Sequence, residues 1–387
     1  MKNNRRPLAA LIVILCAALI AVGYCQAANG FLGQPEQIGD ERYIAQTNRI
    51  LDIVIRKSSP AGARSRHQLI FSTNLFLAHG AYIKYFPLDI LIKYADALKE
   101  VGINRIEIYV SPAAWVNNEQ EIIAKYDALI KHIRELGLGL VISPEFHRGS
   151  FQVSRVSDLE KLALPAYKEI AMRYQPDIFI VIHEPTTMAE RLGIKTTPQE
   201  WKSFVEKAVR LVKQASAGTK TGAGGEYYEF AYYQEWLGLP ELDYMTLNIY
   251  NAMKLKTYNQ MIRMARAAEK KVYIEETWRF PPIDRQSRAQ DLEQATGKGI
   301  GIEKFQKLDC KWMEALTLYA NAWGLEAVAP FWSTTFFKYV QSGGNAISYE
   351  YNAHAAEAIR NNERTDTFKT LKILIQKYGK TSTTTAE

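Results

Sequence analysis

Cysteine is scarce in this chain of 387 residues: there are three, and Cys16 and Cys25 lie within the first 27 positions. Only Cys310 stands in the rest, which therefore can form no intramolecular disulfide and carries no Cys-based zinc pattern. A large apolar core has to supply the stability. A Gly-rich turn that could cradle a phosphate after an early strand is also missing. Gly222-Ala223-Gly224-Gly225 comes late and runs directly into Glu226-Tyr227-Tyr228, which speaks against a doubly wound nucleotide-binding sheet. Nor is there a tract of like charge. Lys and Arg number 48 and Asp and Glu 41, a net +7; Lys2, Arg5 and Arg6 contribute three, and the remaining +4 is spread along the chain. Nucleic acid is not an expected partner.

Long hydrophobic runs are absent except at the start. Lys2, Arg5 and Arg6 precede an apolar stretch from Leu8 to about Val22, and Cys25-Gln26-Ala27 follows as a small-residue cleavage site. Residues 1–27 read as an export signal, which places the protein outside the cytoplasm, secreted, periplasmic or on the cell surface. An uncleaved membrane anchor is the alternative reading. Tyr24 is bulky where a lipoprotein site wants a small residue. Residues 28–66 are expected to form a helical extension with a helix over Glu36–Lys57, and 380–387 a polar, Thr-rich tail.

Between them, over 67–379, one pattern repeats. A short apolar stretch rich in β-branched residues ends in polar or aromatic residues. An amphipathic segment follows, and a Gly- or Pro-marked turn leads to the next stretch. The predicted strands are Gln68–Thr73, Arg105–Val110, Gly139–Ser143, Ile178–His183, Thr219–Ala223, Tyr244–Asn248, Val272–Glu276 and Ala327–Phe331. The predicted helices are Leu88–Val101, Glu119–Leu136, Asp158–Tyr174, Pro198–Ala215, Tyr258–Lys270, Ile302–Trp323 and His354–Tyr378. Such alternation implies parallel strands joined by crossover helices. Turns from helix into strand are short, whereas segments leaving strands are long, notably Thr277–Gly301 and Ser333–Tyr351. That asymmetry fits a single-domain α/β (β/α)₈ barrel with a functional face at the strand C-termini.

Two strand ends carry acids. Ile178–Ile182 terminates in His183-Glu184-Pro185, and Val272-Tyr273-Ile274 in Glu275-Glu276-Thr277. A carboxylate closing a buried strand is costly unless it is used or paired. Strands four and seven end on opposite sides of one barrel mouth. Two carboxyls facing each other across a cleft match what glycoside hydrolysis needs: one protonates the leaving oxygen, and the other attacks or activates water.

Here the chain resembles the clan of retaining glycoside hydrolases built on (β/α)₈ barrels, clan A. Its Asn-Glu-Pro motif on strand four is matched by His183-Glu184-Pro185, and its apolar-x-Glu motif on strand seven by Ile274-Glu275-Glu276. The resemblance implies Glu184 as acid/base and Glu276 as nucleophile, with Glu275 as the fallback nucleophile. It also implies sugar-contacting roles for His183, His147, Asn248, Tyr250 and Trp332. Tyr250 would hydrogen-bond the nucleophile and Trp332 would lie under the sugar. No cofactor and no metal are expected, the partner is an oligo- or polysaccharide with β-linkage favoured, and the protein is expected to be a monomer.

The sequence departs from the clan in two places. His183 stands where Asn is usual, and the arginine common near strand two has no counterpart, Tyr109 and Ser111 occupying that strand end. These departures keep open a non-catalytic carbohydrate-binding barrel. A metal-dependent sugar-isomerase-type barrel is the other alternative, since Glu145, His147, His183, Glu184 and Glu276 could ligate a divalent ion. Tyr227, Tyr228, Tyr232, Tyr233 and Trp236 form a cluster after strand five; it is read either as a sugar-stacking surface or as a packed helix stripe.

Overall fold

The computed structural model describes residues 40–59, 68–80, 82–147, 149–278, 302–339 and 349–380. The expected export segment, the start of the helical extension and the tail beyond 380 lie outside these residues. So do parts of the two long excursions after strands seven and eight.

Among the described residues eight parallel strands close on themselves in chain order. They are β1 (Ile70–Asn74), β2 (Arg105–Val110), β3 (Gly139–Pro144), β4 (Ile178–His183), β5 (Lys220–Gly225), β6 (Tyr244–Ile249), β7 (Lys271–Thr277) and β8 (Ala327–Pro330). β1 closes against β8 through Ile70 opposite Ala327 and Phe71 opposite Val328. The strands are apolar on both faces because each is covered twice. A large outer core fills the space between sheet and helices. A smaller inner cluster of Val141, Ile178, Ile180, Tyr244, Tyr273 and Ala327 plugs the barrel.

The helices follow their periodicity closely. Leu88–Val101 turns Ile90, Leu91, Tyr94, Ala95 and Leu98 inward and ends at Gly102, whose φ of 101° few other residues tolerate. Pro198–Ala215 opens with a complete capping box between Thr197 and Glu200. One expectation fails. The stretch His354–Tyr378 is not one helix but two, Tyr349–Arg360 and Asp366–Tyr378. The break is a Schellman turn: Asn362, at φ 57°, donates to Ile359 O, and Glu363 N–H returns to Ala358 O at 2.9 Å. Apolar spacing continues across that break, so periodicity alone joins the two. Short helices at Pro112–Val116 and Pro185–Leu192 follow β2 and β4 without having been anticipated, and Phe230–Trp236 after β5 falls in the aromatic cluster for which a helix was one of the two readings.

Close strand approach at β5 depends on glycine. A Cβ on Gly224 would overlap both the hydroxyl and the carbonyl of Thr246 on β6. Gly224→Ala is therefore expected to cost about 3 kcal/mol or more, read as a lower urea midpoint. Gly238→Ala, with nothing within 4 Å of its added methyl, is expected to stay within about 0.5 kcal/mol of wild type. Equal midpoints for the two variants would contradict this packing.

Candidate active site

Glu184 follows the last residue of β4 in the left-handed region, at φ 45°, a conformation that costs a non-glycine residue about 1–2 kcal/mol. Neighbours on β5 and β6 hold it there. Its N–H donates to Gly224 O at 3.0 Å, and Asn248 Nδ2 donates to its Oε1 at 2.9 Å. Pro185 then opens the next helix, as suits a residue without an N–H. The half-buried carboxyl is thereby set at the barrel mouth.

Glu276 lies deeper, 3 % exposed. The Tyr250 hydroxyl donates to its Oε2 at 2.6 Å, and the Tyr109 hydroxyl donates to its Oε1. Tyr109 comes from β2, across the barrel, and occupies the strand end where the clan's arginine is missing. Glu275 does not face away, because β7 is bulged there. Leu247 pairs with Ile274 and the next residue, Asn248, pairs with Glu276, leaving Glu275 as the extra residue. It too turns inward, accepting from Thr246 Oγ1 and from Ser143 Oγ at 3.4 Å.

Burial pushes Glu276 well above the usual carboxylate range; the negative charges of Glu184 and Glu275 add to this, and the two phenol hydrogen bonds oppose it. Glu184 and Glu276 thus lie within electrostatic reach of each other, and Tyr250 is affected by both.

The remaining candidates divide between two sides of the mouth. Asn248 is fully buried and gives its amide to Glu184. His183 is buried, its Nδ1 2.9 Å from Ser143 Oγ and its ring edge-on to Tyr109 at 5.0 Å. His147 faces Glu145, with Nε2 3.4 Å from its carboxyl. Arg191 closes on the same Glu145 at 2.6 Å. Burial would raise Glu145, but His147, Arg191 and His79 bring it down to about 2, and Arg191 is the permanent charge among them. The Trp332 ring packs on Phe76 and Phe331 and is 8 % exposed. It is Phe331 that stands edge-on to both phenols, 5.9 Å from Tyr109 and 6.0 Å from Tyr250.

Tyr233 and Trp236 are packed core residues, whereas Tyr228 is exposed at the rim with its hydroxyl 3.5 Å from Glu226. Glu226 and Glu229 were not anticipated, and both are buried after β5. Glu229 accepts from Thr186 N–H at 2.8 Å, Thr186 Oγ1 at 2.6 Å and Glu226 N–H at 2.9 Å. Burial and then Glu184 still push it up to about 8. Tyr109 could have been found from the alternation Arg105-x-Glu107-x-Tyr109, which puts three polar groups on the inner face of a buried strand. Glu226 and Glu229 gave no such signal, Glu226 lying in the turn after β5 and Glu229 in the short 3₁₀ helix Tyr227–Glu229.

Among the described residues no group of three His, Cys, Asp or Glu side chains is placed to hold a metal ion. The two buried histidines are held neutral. Burial takes His79 from 6.5 to about 4 and His183 from 6.5 to about 3. Depressed values of this kind contribute stability that is present above pH 6.5 and lost as pH falls through the folded values. Both imidazoles are expected to remain neutral at about pH 5.5 by ¹⁵N NMR, with the melting temperature falling as pH drops further. An imidazolium signal from either at that pH would overturn the assignment.

No protein-family model and no curated protein sequence matches the chain. Solved structures do match in three dimensions. An exo-β-1,4-mannosidase from Opitutaceae bacterium strain TAV5 superposes with a TM-score of 0.53 at 12% identity, over 80% of this chain and 60% of that one. The chain thus spans about 60% of that mannosidase's length. A GH5_18 protein from Streptomyces cattleya in complex with GlcNAc superposes with a TM-score of 0.52 at 10% identity, over 81% of each chain. At these identities the likeness is one of fold: this chain is similar to (β/α)₈-barrel glycoside hydrolases in architecture.

Proposed function

We propose that the barrel is a retaining glycosidase acting on a β-linked oligo- or polysaccharide, with Glu184 as acid/base and Glu276 as nucleophile. The observation that carries this reading is the environment of Glu276. A carboxyl buried at a strand end has each oxygen engaged by a phenol, with a second carboxyl from the opposite strand within electrostatic reach.

The chemistry follows from those contacts. Asn248 Nδ2 occupies Oε1 of Glu184 as a donor, so the transferable proton rides on Oε2. Glu184 gives it to the glycosidic oxygen as the bond breaks, and Glu276 attacks the anomeric carbon to form a glycosyl ester. Glu184, now ionised, takes a proton from water, whose oxygen displaces Glu276 with net retention. Tyr109 and Tyr250 favour the ionised nucleophile against the burial that raises its proton affinity, and they fix its orientation. Phe331 and Tyr228 offer ring surface beside the carboxyls for a sugar face. The fold relatives, an exo-β-1,4-mannosidase and a protein in complex with GlcNAc, favour hexopyranosides as the first compounds to try.

The test uses leaving groups of different acidity on a panel of β-mannosides, β-glucosides and β-N-acetylglucosaminides. Glu184→Ala is expected to lower turnover about 10²–10⁴-fold on alkyl glycosides and oligosaccharides, whose leaving oxygen needs a proton. On nitrophenyl glycosides, whose leaving group needs none, bond cleavage is expected to suffer far less. Glu276→Ala is expected to abolish both. Losses that ignore the leaving group would remove Glu184 from its role. Sugar binding by the wild type with no turnover on any substrate would favour the non-catalytic barrel.

Tyr250→Phe provides a second check. Losing one charge-assisted hydrogen bond, worth about 1.5–3 kcal/mol, destabilises ionised Glu276 and moves the acid limb of kcat/KM up by about one to two pH units. An unmoved acid limb would mean that Tyr250 does not tune the nucleophile.

A further inference from the structure

Glu184 is held in a conformation that its place in the chain disfavours twice over. Its φ of 45° is left-handed, and the residue before a proline is normally extended. A strained residue of this kind persists only where its surroundings over-determine it. Two groups fix the chain here. Glu184 N–H donates to Gly224 O at 3.0 Å, and the carboxyl of Glu229 takes the residue just beyond Pro185. Glu229 Oε1 accepts from Thr186 N–H at 2.8 Å and from Thr186 Oγ1 at 2.6 Å, while Oε2 accepts from Glu226 N–H at 2.9 Å. One buried side chain, 2 % exposed, thus ties the start of the helix Pro185–Leu192 to the chain leaving β5. The fit is close: a Cβ on Gly225 would overlap Glu229 Oε2 and lie 3.3 Å from Glu184 N. The far end of the same helix is fastened independently, through Arg191 to Glu145 at 2.6 Å.

We propose that Glu229 is a positioning residue for Glu184: by joining Thr186 to the chain after β5, it clamps the turn from which the Glu184 carboxyl enters the barrel mouth. The plainer role for an acid at a helix start is stability alone, and its loss would then depress every activity equally. The geometry favours a more specific effect. Asn248 fixes one oxygen of Glu184; where the other oxygen points follows from the backbone at 184. That backbone is strained, so without the bonds to Glu229 it relaxes toward the extended region and carries the carboxyl with it. The consequence for proton transfer to the leaving oxygen rests on the retaining reading. The clamp itself does not.

Two readouts separate the clamp from its consequence. In Glu229→Gln only the amide oxygen accepts, so the side chain cannot serve Thr186 and Glu226 N–H together. Amide hydrogen exchange at Glu184 and Thr186 is expected to quicken about tenfold relative to Ile180, in the middle of β4. For alkyl β-glycosides kcat/KM is expected to fall about 10–10²-fold. For nitrophenyl β-glycosides it is expected to fall far less, a weaker copy of Glu184→Ala. A variant that merely loosened the fold would slow both substrates alike. Unchanged exchange at the two amides, or equal losses for the two leaving groups, would overturn the proposal. If Glu229→Gln does not fold, Thr186→Val deletes the hydroxyl donor alone and is expected to reproduce both effects at about threefold. If wild type turns over no glycoside, the retaining reading falls by itself, and faster exchange at the two amides in Glu229→Gln still upholds the clamp.

Discussion

Three contacts cross the barrel from β2 to β7, one above another. Arg105 lies over Tyr273, Glu107 feels the charge of Glu275, and Tyr109 donates to Glu276. Along β2 they step by two residues each time, as a regular strand requires. Along β7 they step by two and then by one, because the bulge at Glu275 inserts an extra residue. The bulge allows both successive glutamates to enter the interior at different depths. Without it one of them would point into the outer helical layer, and either the upper or the lower acid pair would be lost.

That arrangement fills a low-dielectric space with carboxyl groups and almost no cations. The compensation comes from hydroxyls. Tyr109 and Tyr250 serve Glu276, Thr246 and Ser143 serve Glu275, and Thr186 serves Glu229. Hydroxyl donors stabilise an ionised carboxyl less than a guanidinium would, so these acids keep raised proton affinities. The opposite side of the mouth follows the reverse logic. Glu145 meets Arg191 at 2.6 Å and is held at about 2, a fixed anion in an ion-paired corner. One side can therefore exchange protons near neutral pH, and the other anchors the rim.

Much of this was legible in the order of residues. The eight strands, the termini of Leu88–Val101 and Pro198–Ala215, and the acidic ends of β4 and β7 follow from periodicity and capping, which act within a few residues of chain. The split between Tyr349–Arg360 and Asp366–Tyr378 was not legible, since its signal is one asparagine in the left-handed region within an unbroken apolar rhythm. Phe331 and Trp332 are neighbours whose sequence does not say which ring meets the phenols, and a strand's last residue can leave the sheet in several directions.

What the sequence determined by itself was the alternation of strand and helix, and with it a closed barrel that brings the ends of distant strands to one rim. Which acids share that rim, and in what state of charge, was decided only in three dimensions. Alternation places Glu275 and Glu276 on opposite faces. A one-residue bulge, set by pairing with β6 and β8, puts them on the same one, and the hydroxyls that hold them come from β2, β3 and β6. Local chain preferences cannot encode a register shift that is stabilised by partners more than a hundred residues away, such as Tyr109 for Glu276.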